Sequence, residues 1–169
     1  MTAIAEPALL ELLHGKGAHA DPLKCVEDLS AEIAGRQVAG LPYSIWQQLA
    51  HMNYWMDYEL RRIRGQRPPY PKHAAESWPA HAAPSEGEWR EAIEQFKRLI
   101  EDYASLGRSS PEELRREIEP MHKVDTQNSS TLSAVLWQMV THNSYHTGQI
   151  VMLRRALGTW PPPTGGDTW

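Results

Sequence analysis

His142 and His146 stand four residues apart in the run Thr141-His142-Asn143-Ser144-Tyr145-His146-Thr147-Gly148-Gln149. Residues at this spacing share one face of a helix. On a helical wheel both rings project toward Val135, Met139, Ile150 and Leu153, the apolar side. A buried polar ring without a partner costs roughly 1–3 kcal/mol. Two such rings on one stripe need a common explanation, and a divalent ion supplies it, because neutral imidazole is a good ligand for zinc, nickel, copper or iron. Two imidazoles do not complete a site. A catalytic zinc-type centre takes three protein ligands and keeps a position open for water or substrate.

The third ligand is not fixed by spacing. His14, His19, His73, His81 and His122 fall at helix ends or in loops, whereas His51 lies well inside a long helix. His51 is more than a quarter turn off the aliphatic stripe of that helix, so periodicity alone does not turn it inward. It does share a side with Trp55 and Tyr58, which would make a second buried face if the helix touched two neighbours.

The elements that must position these residues read as helices. A short one is expected near 8–14, ended by Gly15 and Gly17, and another near 23–29 behind Asp21-Pro22. Residues 30–35 suggest a further turn. A long helix is expected over 44–63, with Ser44 as cap and Ile45, Leu49, Met52, Met56, Leu60 and Ile63 as its stripe. Arg61, Arg62 and Arg64 suit its last turn. Residues 66–84 carry Pro68, Pro69, Pro71, Pro79 and Pro84 and cannot be regular helix. A link of that length is often functional and could cover a pocket mouth or an oligomer contact.

Ser85 followed three residues later by Glu88 is a capping-box pattern, opening a helix striped by Trp89, Ile93, Phe96, Leu99, Ile100 and Tyr103 and closed by Gly107. Residues 111–118 read as a helical turn and 119–130 as polar and irregular. The last helix is expected over 131–157 with Ser130 as cap, and the proline-rich tail 160–169 is stiff and non-helical. No strand-type alternation of any length occurs. Sequential helices without strands imply an all-α bundle in one domain spanning 1–169.

Composition narrows the function classes. With 169 residues, the chain can bury roughly 70% of its unfolded surface. The formal net charge of −4 gives no reason to expect nucleic acid or an anionic membrane as partner. A single cysteine, Cys25, cannot form an internal disulfide, and in an amphipathic stretch it reads as a small core residue. The N-terminus lacks a signal-peptide pattern, and no apolar run approaches the ~20 residues of a membrane span, so the chain reads as cytoplasmic. Seven Trp and six Tyr against one Phe suit a pocket wall or an interface.

The segment from Ser44 to Trp55 containing His51, and the run His142 to Ile150 followed by Leu153-Arg154-Arg155-Ala156-Leu157-Gly158, resemble the second-helix and last-helix motifs of the DinB/YfiT-like metalloenzymes. Trp160, Pro161 and Pro162 fit as well. The resemblance covers nearly the whole chain. It implies a four-helix bundle of up-down-down-up topology, often a homodimer, with His51, His142 and His146 as ligands of one divalent ion, most often zinc or nickel. Family members transfer low-molecular-weight thiols such as bacillithiol, isomerise maleylpyruvate with mycothiol, or are described as metal-dependent hydrolases.

Two reactions on a small-molecule substrate follow from such an ion. A thiol cofactor could be activated as thiolate and attack a small electrophile, or activated water could hydrolyse an ester or amide. The absence of a carboxylate inside the last-helix motif favours thiol-dependent S-transfer. Asp57 and Glu59 could serve as a hydrolytic base, although such residues on a helix are more often solvated charges. Gln149 could hold a ligating histidine by a hydrogen bond, Trp55 and Tyr58 could line a pocket, and Arg154 and Arg155 read as surface cations. The competing class is a non-catalytic stress-response or binding protein that the ion merely braces, which would be marked by a fourth protein ligand.

Overall fold

The computed structural model describes residues 5–119 and 130–166. Its elements are α1 (Ala5–Leu13), α2 (Ala31–Gly35), α3 (Ile45–Ile63), a 3-10 turn (Ala74–Ser77), α4 (Glu86–Gly107), α5 (Pro111–Leu114), β1 (Glu117–Ile118), β2 (Ser130–Thr131) and α6 (Leu132–Ala156). The fold is all-α, as expected. α3 lies at its centre, packed against both α4 and α6, and α1 touches α4 and α6.

Each long helix begins where a side chain can satisfy the free N–H groups of its first turn. The Ser44 hydroxyl accepts from the Gln47 amide at 3.2 Å while Gln47 Oε1 accepts from the Ser44 amide at 3.1 Å, a reciprocal capping box. Ser85 and Glu88 repeat the arrangement on α4. α3 ends in Arg61 and Arg62, and Gly65 follows at φ +78°, a left-handed turn that a side chain would strain.

The apolar stripes converge as the spacing requires. Ile45, Leu49, Met52 and Met56 of α3 are fully buried, as are Phe96 and Tyr103 of α4 and Leu132, Val135 and Leu136 of α6. Burying each large aliphatic side chain contributes about 1.5–3 kcal/mol. Three polar tips inside this core find backbone partners: Tyr103 donates to the Met56 carbonyl at 3.0 Å, Asn53 to Ala92 at 2.8 Å and Trp89 to Leu29 at 2.7 Å. Trp46 Nε1 and the Oδ1 atoms of Asn53 and Asn143 are buried without one.

Four local expectations need correction. Residues 22–28 form consecutive turns rather than a helix; Asp21 Oδ1 does accept from the Leu23 amide in a cap-like bond at 2.9 Å, but the run is too short to propagate. The helical turn near 111–118 stops at Leu114, and Glu117 and Ile118 instead pair antiparallel with Thr131 and Ser130. That two-residue bridge is a strand the alternation pattern is too short to reveal. The bridge keeps both Ser130 and Thr131 extended, so α6 starts at Leu132 and its cap is Thr131, whose hydroxyl accepts from the Ala134 amide at 3.2 Å. The first helix starts earlier than expected, at Ala5. Most of the segment expected to be irregular, 120–129, and the end of the tail, 167–169, lie outside the described residues.

Among the described residues no helix is long and apolar enough to cross a membrane.

Candidate metal centre

The turn of α3 that carries His51 faces the turn of α6 that carries His142 and His146. Ring centroids are 4.8 Å apart for His51–His146, 5.3 Å for His51–His142 and 4.5 Å for His142–His146. One nitrogen from each ring lies within 4.8 Å of the other two, and among the described residues no Cys, Asp or Glu joins the group. His51 and His146 are buried, at 7% and 5% exposure, and His142 is partly buried. The helical wheel therefore understated His51: α3 has two inward sides, one for the aliphatic stripe and one for the site.

Two of the rings have fixed tautomers. Nδ1 of His51 meets the Ser77 carbonyl at 3.1 Å, and Nδ1 of His146 meets Gln48 Oε1 at 2.7 Å. Both oxygens only accept, so each Nδ1 carries the proton and each Nε2 keeps its lone pair free. His142 differs: its Nδ1 is buried and has no hydrogen-bond partner. Left so, that atom carries a desolvation cost of about 1–3 kcal/mol.

Burial pushes all three imidazoles toward the neutral form. It lowers His51 to about 4, helped by the neighbouring His142, and His146 to about 3, helped by His142 and His51. His142 is lowered by the same cause. A metal ligand must be deprotonated, so these rings are in the binding form at neutral pH without any proton having to leave. Buried neutral donors, two preset tautomers and one orphaned nitrogen all fit a divalent ion.

The expected neighbours are placed unequally. Trp55 is edge-on to His51 at 6.4 Å between centroids. Tyr58 touches Trp55, at 5.4 Å, and sits one residue layer further from the histidines. Gln149 is half-buried three residues after His146, but the amide that meets His146 Nδ1 is that of Gln48. Gln48, Ser77 and Trp78 were not anticipated. Gln48 could have been found, because it stands three residues before His51 and so shares its side of the helix. Ser77 contributes only a backbone oxygen, and no side-chain pattern announces that.

The two candidate bases are elsewhere. Glu59 is buried and ion-paired to Arg62. Asp57 lines a groove of about 520 Å³ between α3, α4 and Pro68-Pro69, together with Tyr54, Glu88 and Glu91, and none of the three histidines borders it. Cys25 is fully buried, and burial pushes its thiol up to about 12, so it is no nucleophile.

Arg154 corrects the surface reading. It is 1% exposed, and its guanidinium donates to both Asp28 oxygens, at 2.7 and 2.9 Å, to the Cys25 carbonyl at 2.9 Å and to the Thr159 carbonyl at 2.6 Å. It ties the N-terminal turns to the end of α6. Arg155 is exposed, with its guanidinium 6.0 Å from the Trp160 ring centre.

No curated protein matches the chain, and no solved structure does. The model of one family matches residues 16–150, most of the chain and both histidine-bearing helices. The chain belongs to the DinB superfamily.

Proposed function

We propose that this protein is a metal-dependent enzyme that transfers a low-molecular-weight thiol onto small electrophiles, with His51, His142 and His146 holding zinc or nickel. The observation that carries the reading is the convergence of three neutral imidazoles, joined among the described residues by no Cys, Asp or Glu: their nitrogens lie within 4.8 Å of one another. A bracing site closes its shell with four protein ligands, and a chemical one keeps a vacancy. A divalent ion whose ligands are all neutral retains its full charge and lowers the pKa of a bound thiol or water.

The chain's own residues then have separable tasks. Ser77 and Gln48 orient two of the rings. Trp55 and Trp78 flank His51 with apolar surface, which limits water at the site. Glu59 is spent on Arg62 and Asp57 faces another groove, so neither is placed to take a proton from water at the histidines. That arrangement supports thiol transfer over hydrolysis, because a thiol activated as thiolate needs no separate base.

The experiment purifies the protein without an affinity tag, measures bound metal, and screens thiol conjugation against ester hydrolysis. Thiol-dependent turnover that disappears in His146→Ala is expected. Turnover that needs no thiol would replace the proposal with a metal-dependent hydrolase. Stoichiometric metal without turnover of either kind would favour a bracing role.

A further inference from the structure

The proline-rich strap between α3 and α4 is pinned to the start of α3 on both sides of one residue. Gln47 Nε2 donates to the Pro79 carbonyl at 3.0 Å and the Ser44 hydroxyl to the Ala82 carbonyl at 2.7 Å. His51 Nδ1 donates to the Ser77 carbonyl at 3.1 Å. Between these ties, the indole of Trp78 lies flat on the His51 imidazole, with centroids 3.8 Å apart and planes 9° from parallel. The Tyr43 ring lies at 3.7 Å and 6° to the same indole. Two rings so close and so parallel to one indole must occupy opposite faces. Tyr43, Trp78 and His51 therefore form a three-ring stack.

We infer that the strap is a positioning element for the third histidine: the Ser77 carbonyl selects its tautomer, and Trp78, braced by Tyr43, sets its ring plane. Spacing left His51 undecided because its own helix does not orient it; the strap does. Ordering a ligand before the ion arrives removes an entropic cost from binding, and outer partners of ligating histidines typically change metal affinity 10–100-fold. Part of the long link is thus a component of the site. The affinity consequence rests on the proposed metal reading, whereas the tautomer does not.

The test uses full-length protein and two readouts. Long-range 1H–15N NMR of the metal-free chain reports the His51 tautomer, and competition with a chromophoric chelator reports zinc affinity. Wild type is expected to show one Nδ1–H tautomer at His51. Trp78→Ala is expected to convert it to a mixture and to weaken zinc about tenfold, with Trp78→Phe restoring both. Trp78 is only partly buried, so its truncation spares the core. Tyr43→Ala, which leaves the indole in place, is expected to give a smaller effect of the same sign. An unchanged His51 tautomer in Trp78→Ala, or a loss that Phe does not restore, would overturn the inference. A wild-type chain that binds no zinc but shows the locked tautomer would overturn the metal reading and leave the strap's role standing.

Discussion

The side-chain oxygen of Gln48 accepts a hydrogen bond from Nδ1 of His146 at 2.7 Å, and both residues are buried, at 3% and 5% exposure. The bond crosses from α3 to α6. It joins the two helices that supply the site and fixes the nitrogen that His146 offers. The neighbouring helical position, His51, is oriented instead by the strap. The three imidazoles are thus held differently: His146 by a glutamine, His51 by a backbone carbonyl, and His142 by no hydrogen bond at Nδ1.

Replacing Gln48 by leucine keeps the volume and removes the acceptor. Nδ1 of His146 then loses its partner, and the ring can present either nitrogen. Zinc affinity is expected to fall about 10–100-fold, while Gln48→Glu, which keeps an acceptor at that position, holds most of it. Chelator competition on the purified variants measures this. Equal affinity for wild type and Gln48→Leu would show that the bond is incidental.

The pH dependence of the metal-free protein follows from the same burial. His51 and His146 sit at about 4 and about 3 when folded, against 6.5 for a free ring. Between those values the unfolded chain binds protons that the folded chain refuses. Stability is therefore fully present above pH 6.5 and declines as pH falls toward 3, by up to about 1.4 kcal/mol per pH unit for each such ring. Glu59, pushed upward by burial, works in the opposite sense, but it is common to wild type and variants and cancels in their difference. Urea melts of wild type and His146→Gln across this window should converge at low pH. Parallel curves would mean that His146 titrates normally.

What the sequence revealed, and what it hid, divides along physical lines. The stripes of α3, α4 and α6 and the Ser44 and Ser85 caps were legible because helix periodicity and capping are local rules. The pair His142 and His146 was legible for the same reason. The inward turn of His51 was not, since it depends on α6 and on the strap, both distant in sequence. Arg154 was misread because a cation near a helix end has the same sequence signature whether it meets solvent or a buried carboxylate; the partner Asp28 is 126 residues away. The cap was displaced by one residue, to Thr131, because the bridge to Glu117 and Ile118 keeps the chain extended through Thr131 and the helix starts only at Leu132.

Arg154 makes a quantitative claim about the fold. Its guanidinium engages Asp28 through two parallel bonds and adds the Cys25 and Thr159 carbonyls, all at a site with 1% exposure. Removing one partner of such a pair leaves the other charge uncompensated, although Asp28, at 25% exposure, recovers some hydration. Arg154→Ala is expected to destabilise by about 3 kcal/mol. Arg154→Lys keeps the charge but not the fork and should recover only part of this. Chemical denaturation of the metal-free protein measures both, and a loss below about 1 kcal/mol would return Arg154 to the surface role first expected of it.

His142 separates the demands of folding from those of binding. Its buried Nδ1 has no partner, so removing the ring removes an unsatisfied atom. His142→Leu is expected to leave the metal-free protein as stable as wild type, or more stable by about 1 kcal/mol. His51→Leu and His146→Leu do the reverse, because they strand the Ser77 carbonyl and the Gln48 oxygen without their donors. Zinc inverts the order. At a free concentration 100 times the dissociation constant it stabilises a native site by about 2.7 kcal/mol, a rise of roughly 5–10 °C in Tm for a chain of this size. Wild type should gain that shift, and His142→Leu should gain none in spite of its stable fold. His81→Ala, an exposed ring outside the cluster, should shift as wild type does. A residue whose removal leaves the fold intact or firmer while abolishing the response to metal is present for the ion. If His142→Leu instead unfolds the metal-free chain, the ring is a packing residue and the case for an ion between α3 and α6 loses its main support.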